Sequence, residues 1–306
     1  MKGSVWKSLL GLGLLMRWPA ILAWSGGGIF LAAGLARDTV RLPGAWTNLG
    51  LLALVVLLLH GVVSHAVNDC ADWASGTDRL SPRLLSGGSR VIPRGLLGQK
   101  ELARISAKAL FMALVLATVL FFRLGPGVLV PLAIGLWAPL AYSLPPLALA
   151  YRPFLGEWLG AFPALLATTL GAYWVLTGAV TPRSGGAAFI YGLLCQAWLA
   201  EHHLADIGAD LKATPRKLTT AAWVSLRWGL PAARFVPALY AGAAVAFALG
   251  AAAYWGASFA PAVVPASASC LIALASRPHD VSATTRAEIT MMALALLTGW
   301  FLGWLV

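Results

Sequence analysis

Charged residues divide this chain into long apolar runs. Cutting the sequence at every Asp, Glu, Lys and Arg leaves these long charge-free runs: 18–36, 42–68, 109–122, 124–151, 158–182, 184–200, 235–276 and 289–306. A helix needs about 20 apolar residues, at about 1.5 Å each, to cross a membrane. Each run is expected to form one helix, except that 235–276 should form two, with a turn near Gly256, Pro261 and Pro265. The pattern predicts an all-α membrane protein with nine transmembrane helices.

The composition supports this class. Of the 306 residues, 59% are hydrophobic and only 11% are charged, whereas a soluble domain carries about 25% charged residues. The net charge is +11, but the basic residues are scattered between the apolar runs, so they indicate membrane topology rather than a nucleic-acid partner. The expected partners are membrane lipids. We treat 1–306 as a single domain, and three cysteines without a CxxC pair favour neither disulfides nor zinc.

The Lys and Arg distribution predicts the orientation. Placing the N-terminus in the cytosol leaves few of the 22 Lys and Arg residues outside, namely Arg37, Arg41, Arg123 and Arg183, as the positive-inside rule requires. The segment before Arg17 is expected to be a mature, interfacial stretch rather than a signal peptide. Acidic residues also gather on the cytosolic side, where two long connections, about 69–104 and 201–234, are expected to form a polar cap.

An acidic cluster ends the second predicted span. His65, Asn68, Asp69 and Asp72 follow one another at i, i+3, i+4 and i+7, so a continuing helix would point all four the same way. Like charges at this spacing repel, which suggests a cation or a metal-bound substrate between them. The spacing alone fits a solvated, acidic helix end equally well.

A second cluster ends the sixth predicted span. Asp206 and Asp210 are four residues apart, with His202 one turn earlier and His203 beside it. Helices that run in the same direction can bring both clusters together across one cavity. Clusters of Asp and Asn oxygens suit a hard cation, and Mg²⁺ in particular binds a few carboxylates together with substrate phosphates.

Basic residues follow both clusters. Arg90 and Arg94 follow the first cluster, and Arg216 and Lys217 the second. Carboxylates, a metal and nearby guanidinium or ammonium groups are what a diphosphate needs. Gly87 and Gly88 would let backbone amides approach an anion, whereas Lys212 and Arg83 are better explained as topology signals.

These motifs, in this order, resemble the UbiA superfamily of intramembrane prenyltransferases. Segment 68–78 reads Asn-Asp-x-x-Asp-x-x-x-Gly-x-Asp, like that family's first aspartate motif, and 86–97 is similar to its continuation. Segments 142–146, 151–157 and 171–174 extend the likeness, which covers about 60–220 and is strongest to the branch that prenylates 1,4-dihydroxy-2-naphthoate for menaquinone. The second motif departs from the pattern: His202 and His203 replace asparagines and Ala205 replaces an arginine.

The resemblance implies nine helices around a central cavity, and a transfer of a polyprenyl group from its diphosphate to an aromatic acceptor with Mg²⁺ as cofactor. The resemblance assigns metal binding to Asn68, Asp69, Asp72, Asp206 and Asp210. It assigns catalysis to Asn68, Asp72, Tyr142, Asp206 and Asp210. It assigns substrate binding to His65, Arg90, Arg94, Arg152, Tyr173, His202, His203, Arg216 and Lys217. Candidate aromatic faces for an allylic carbocation are Tyr142, Trp158, Tyr173 and Trp198.

Several alternatives stay open at this stage. A membrane terpene cyclase would keep the ionisation step and capture the cation by its own double bonds. A transporter is disfavoured, because its charged residues usually lie at mid-membrane. His65, His202 or His203 could accept the proton lost by the aromatic ring, whereas His60 and His279 are expected at headgroup level. The expected location is a bacterial or archaeal cell membrane with a cytosolic active site; chain length, acceptor and oligomeric state are left open.

Overall fold

The computed structural model of the chain describes residues 2–82 and 85–306, so Arg83 lies outside the described residues. This part of the chain is helical and contains no strand. Its helices, in chain order, are α1 (Lys2–Leu15), α2 (Trp18–Ala36), α3 (Ala45–Ser75), α4 (Thr77–Leu80), α5 (Gln99–Leu124), α6 (Pro126–Ser143), α7 (Gly156–Thr177), α8 (Pro182–Lys212), α9 (Thr220–Trp228), α10 (Leu230–Trp255), α11 (Ala257–Ala275) and α12 (Val281–Leu305).

The long helices follow the predicted order of spans. Within the described residues, 8 helices are long and apolar enough to cross a membrane, and the chain is an integral membrane protein. The sixth predicted span is α8, which has 31 residues but is less apolar, because its second half carries Glu201, Asp206 and Asp210. The predicted count of nine is therefore approximate: 8 helices of the described chain qualify as spans, and α8 is the ninth long helix.

The predicted turn in the run 235–276 involves fewer residues than expected. The break falls at Gly256, whose φ of +116° suits a residue without a side chain. Pro261 and Pro265 do not form the turn, because Pro261 lies in the 3₁₀ opening of α11 and Pro265 is buried inside the helix. Helix α5 begins at Gln99, well before the charge-free run that predicted it.

Helix α8 lies at the centre of the bundle. It packs against α10 and α12, and it also contacts α7, α9 and α2. One hydrophobic core surrounds α8, and a second core joins α2, α3, α5, α6 and α7. Helices α2 and α12 meet at Gly34 and Gly303, where a Cβ on Gly34 would lie 2.8 Å from the Gly303 carbonyl carbon.

Both acidic motifs lie within helices rather than in loops. Helix α3 continues to Ser75 and ends at Gly76, whose φ of +90° is a left-handed helix terminus. Helix α8 continues to Lys212 and ends before the Thr214–Pro215 bond, since a residue that precedes proline disfavours helical geometry. The predicted connections 69–104 and 201–234 are thus shorter than expected: 76–98, which holds α4, and 213–219 before α9.

Three long helices contain π-helical segments, and two of these segments face each other. These are Leu22–Gly26 in α2 and Leu57–Ser64 in α3, and such segments often mark functional sites. The first is supported from α8, because the Tyr191 hydroxyl donates a hydrogen bond to the Ala23 carbonyl at 2.6 Å. A Cβ on Gly27 would lie only 1.9 Å from the Tyr191 hydroxyl oxygen, so a glycine is required beside this bond.

Candidate active site

A cavity of about 430 Å³ opens between α2, α3, α6, α7, α8 and α12. One end is polar and charged, and the remainder is lined mainly by apolar side chains such as Leu14, Val56, Leu59, Ala164 and Leu199. Among the residues singled out from the sequence, those that line it are His65, Asn68, Asp72, Arg90, Arg94, Tyr142, Trp198, His202, His203, Asp206, Asp210 and Lys217. The two acidic motifs therefore share one cavity.

Asp72 is the most highly connected side chain at the polar end. Its Oδ2 accepts hydrogen bonds from Lys217 Nζ at 2.7 Å and Asn68 Nδ2 at 3.0 Å. The Tyr151 hydroxyl donates to Asp72 Oδ1 at 2.8 Å and lies 2.9 Å from the Ser75 hydroxyl oxygen. Lys217, Asn68 and Tyr151, the last of them supported by Ser75, hold the carboxylate of the first motif in one orientation.

The loop after α8 brings Lys217 to this carboxylate. The Thr214 amide donates to the Ser75 carbonyl at 2.8 Å, and the Lys217 amide donates to the Asp210 carbonyl at 3.0 Å. Burial alone would lower the pKa of the Lys217 ammonium, but the carboxylates of Asp72 and Asp210 outweigh it and raise that pKa well above its usual value. Lys217 is therefore a permanent positive charge between the two motifs.

The two aspartates of α8 have free oxygen atoms. Asp206 Oδ1 and Asp210 Oδ1 are buried and accept no hydrogen bond within the described chain. Their other oxygens are weakly engaged: Asp210 Oδ2 lies 3.4 Å from the Thr219 hydroxyl, and Asp206 Oδ2 lies 3.8 Å from His202 Nε2. Buried polar atoms in native proteins normally have partners, so these oxygens are available to a ligand.

His202 also contacts the last helix. Its Nδ1 shares a hydrogen bond with Glu288 Oε1 of α12 at 3.0 Å. Glu288 is buried and lines the cavity. The second motif is thus connected to a carboxylate 86 residues away in the chain.

Asp69 faces away from the cavity toward α2 and the 85–90 segment. It forms an ion pair with Arg17 and accepts hydrogen bonds from the Ser89 hydroxyl and amide. Asp78 lies close by, since a Cβ on Gly88 would be 2.5 Å from Asp78 Oδ2 and 2.7 Å from Asp69 Oδ1. Burial, together with Asp72 and Asp69, raises the pKa of Asp78 to about 7.

The two arginines after the first motif differ in their environments. The Arg90 guanidinium donates to the carbonyls of Asp78, at 2.9 Å, Ser81, at 3.0 Å, and Pro82. It therefore fixes the loop around the site. Arg94 is an exposed residue that lines the cavity, and its side chain makes no hydrogen bond within the described residues. It is the arginine that is free to meet an anion.

Four residues from the sequence-based set lie elsewhere. Arg152 and Arg216 are exposed, and Arg152 donates to the Pro146 carbonyl at 2.9 Å. Tyr173 packs in the second hydrophobic core, because it projects from the face of α7 that is turned away from the cavity. Trp158 is 41% exposed on the outer surface and stacks near Phe162 and Tyr240.

Sequence reasoning also missed several residues at the site. Arg17 was read as the end of an interfacial stretch, yet a left-handed backbone with φ of +46° turns it into the cavity. His60 does not lie at headgroup level as expected: it is in the middle of α3, lines the cavity and is hydrogen-bonded to Ser25 at 2.6 Å. The sequence analysis gave neither Tyr151 nor Glu288 a role. The isolated acid of the last helix was the one signal available for Glu288.

No group of three or more His, Cys, Asp or Glu side chains converges as a metal cage in the part of the chain that the structure describes. The free oxygens of Asp206 and Asp210 fit a less complete set of ligands. Mg²⁺ is usually bound through one or two carboxylates, with water and substrate phosphates completing its shell. The donor set, which is entirely oxygen, suits a hard cation.

The bundle of long helices, with carboxylates of α3 and α8 at one end of its cavity, has the fold of UbiA homologues. The chain is similar to a UbiA homologue from Archaeoglobus fulgidus bound to GPP and Mg²⁺, with a TM-score of 0.64 and 17% identity over 95% of this chain and 99% of that one. It is similar to a UbiA homologue from Aeropyrum pernix K1, with a TM-score of 0.62 and 17% identity over 94% and 97% of the two chains. Neither protein-family models nor curated protein sequences match the chain.

Proposed function

We propose that this protein is a Mg²⁺-dependent intramembrane prenyltransferase. It would move a polyprenyl group from its diphosphate to an aromatic quinone precursor of the kind used in menaquinone biosynthesis, with the charged end of its cavity on the cytosolic side. The observation that carries the proposal is that Asp72 from α3 and Asp206 and Asp210 from α8 line one end of a largely apolar cavity. Two solved structures with this fold, both from Archaeoglobus fulgidus, were bound to GPP or DMAPP together with Mg²⁺.

The shape and polarity of the cavity match an amphipathic substrate. The diphosphate would lie at the charged end, where Lys217 and Arg94 offer positive charge and Asp206 and Asp210 offer free oxygens. These two aspartates, with Asn68 and Asp72, would hold Mg²⁺. When bound, Mg²⁺ neutralises negative charge on the departing diphosphate. The prenyl tail would lie along the apolar walls of the cavity.

The chain's own residues would protect the reactive cation. Loss of diphosphate leaves an allylic carbocation that water would quench, and the apolar walls exclude water from its position. Tyr142, Trp24 and Trp198 line the same cavity. Aromatic faces attract a cation through the ring quadrupole, so these side chains would stabilise the carbocation until the acceptor ring attacks it.

The decisive experiment measures diphosphate release by purified protein supplied with geranyl diphosphate, Mg²⁺ and an aromatic acceptor. Release is expected in the wild type and is expected to be abolished in Asp72→Ala and in Asp206→Ala. Asp38→Ala is the matched control, because Asp38 is an exposed carboxylate that pairs with Arg37 far from the cavity. Full activity in either cavity variant would contradict the assignment.

The same assay separates transfer from cyclisation. Without an acceptor, a transferase should leave geranyl or farnesyl diphosphate largely intact, or hydrolyse it slowly. A cyclised hydrocarbon in the mass spectrum would instead identify a membrane terpene cyclase with the same ionising site.

A further inference from the structure

A second polar group lies deep in the cavity, away from the acidic end. Ser25 of α2 and His60 of α3 share a hydrogen bond of 2.6 Å between the hydroxyl oxygen and Nδ1. Both residues line the cavity, and both lie in π-helical segments. The Nε2 atom of His60 makes no hydrogen bond within the described chain.

The pair lies at the end of a polar ladder on α3. His60, Ser64, Asn68 and Asp72 recur every four residues and all line the cavity. Eight residues separate His60 from Asn68, which corresponds to about 12 Å along a helix. His65 lies between the two ends of this ladder, and its ring centroid is 5.2 Å from that of His60. A second ligand group therefore has room between the acidic end and His60.

Polar side chains at this depth are costly unless they serve a ligand or a partner. Residues of this kind inside a membrane protein are rare, and they are usually functional. One hydrogen bond to Ser25 satisfies Nδ1 but leaves Nε2 open. A hydrocarbon tail has no donor or acceptor for Nε2, so the prenyl group does not account for the pair.

The walls next to the pair are aromatic. Trp24 lies 6.5 Å from His60 and 5.4 Å from Trp198, between ring centroids, and the two tryptophan planes are perpendicular. All three residues line the cavity. Perpendicular aromatic walls suit a flat ring, which can stack on one face and meet the edge of the other.

We propose that Ser25, His60 and the two tryptophans form the subsite for a hydroxyl-bearing aromatic ring. The ring hydroxyl would hydrogen-bond to His60 Nε2, and since a hydroxyl can donate or accept, it matches either tautomer of the imidazole. This inference rests on the proposed function for the identity of the ring as the acceptor. It adds where the acceptor ring lies: its hydroxyl is held by the Ser25–His60 pair, at the side opposite the diphosphate.

The test uses equilibrium binding of 1-naphthol and naphthalene, which differ by one hydroxyl, to the purified full-length protein in detergent. The wild type is expected to bind 1-naphthol about tenfold more tightly than naphthalene, the size of one well-formed hydrogen bond. Ser25→Ala and His60→Leu should reduce this preference to about twofold or less. His279→Leu, at an exposed histidine outside the cavity, should leave it unchanged. Detergent partitioning of the two probes is the same for every variant and cancels in the comparison.

The outcomes separate this subsite from the transferase assignment. A preference that is missing in the wild type, or that survives in Ser25→Ala and His60→Leu, overturns the subsite, whatever the diphosphate assay gives. A preference lost in both variants supports it even in a protein that releases no diphosphate. Ser25→Ala removes a single hydroxyl and keeps the readout available if His60→Leu does not fold.

Discussion

The Lys217 ammonium lies 2.7 Å from Asp72 Oδ2 and joins the two acidic motifs, although the residues are 145 positions apart. Both side chains are buried. Removing one partner of such a pair leaves an unpaired buried charge, which costs about 3 to 5 kcal/mol. This loss is expected to appear before any substrate is added.

We therefore predict that Lys217→Met and Asp72→Leu each lower thermal stability strongly, while the double variant recovers a large part of the loss. The reason is that the second substitution removes the charge that the first leaves unpaired. Thermal unfolding of the four proteins in one detergent measures this coupling. Strictly additive losses would show that the pair does not contribute as the geometry indicates.

Gly88 should tolerate substitution far less well than Gly95, which lies in the same connection between α3 and α5. Both have a positive φ, +71° and +63°, so an alanine at either site is strained by about 1 to 2 kcal/mol. Only at Gly88 would the new Cβ also collide with Asp78 and Asp69, whereas at Gly95 nothing lies within 4 Å. Gly88→Ala is expected to lose most diphosphate release, and Gly95→Ala to retain it. Equal effects in the same assay would contradict the close packing around Gly88.

Tyr151 should be needed to orient Asp72. Tyr151→Phe removes the hydrogen bond to Asp72 Oδ1, and a bond to a charged group is worth about 1.5 to 3 kcal/mol. A fall in diphosphate release of about tenfold or more is expected. Tyr254→Phe is the matched control, because Tyr254 is 84% exposed. A Tyr151→Phe protein with wild-type kinetics would show that the phenol is dispensable.

Arg94 and Arg216 should differ in how much they contribute to binding the diphosphate substrate. Arg94 lines the cavity and has no side-chain partner in the described residues, whereas Arg216 is exposed and outside the cavity. Arg94→Ala is expected to raise the KM for geranyl diphosphate about tenfold, and more at low salt, where charges are less screened. Arg216→Ala should stay within about twofold of wild type. A larger increase in KM for Arg216→Ala than for Arg94→Ala would instead place the diphosphate at the loop after α8.

The sequence was informative about the helices because the membrane sets their length and removes charge from their surfaces. The charge-free runs predicted the long helices in order, and the spacing of Asp72, Asp206 and Asp210 indicated which faces meet. Helix α8 shows the limit of hydropathy, since a central helix buried by other helices tolerates Glu201 and other polar residues.

Each miss has an identifiable structural cause. Arg17 enters the cavity through a left-handed turn that no periodicity reveals. His60 was expected to be a polar residue satisfied at headgroup level, but a π-helical segment and Ser25 place it inside the cavity. Tyr173 was chosen by resemblance, yet which face of α7 meets the cavity depends on tertiary packing. Glu288 depends on a contact that spans 86 residues.

Helices α2 and α12 pack against each other and close one side of the helical bundle. Gly34 and Gly303 let the two backbones touch, and the Arg37 guanidinium fastens them by donating to the Gly303 carbonyl at 3.0 Å. At this crossing no side chain separates the two backbones, so the two helices are held directly against each other. A long-chain lipid is therefore expected to enter the cavity between another pair of helices, not between α2 and α12.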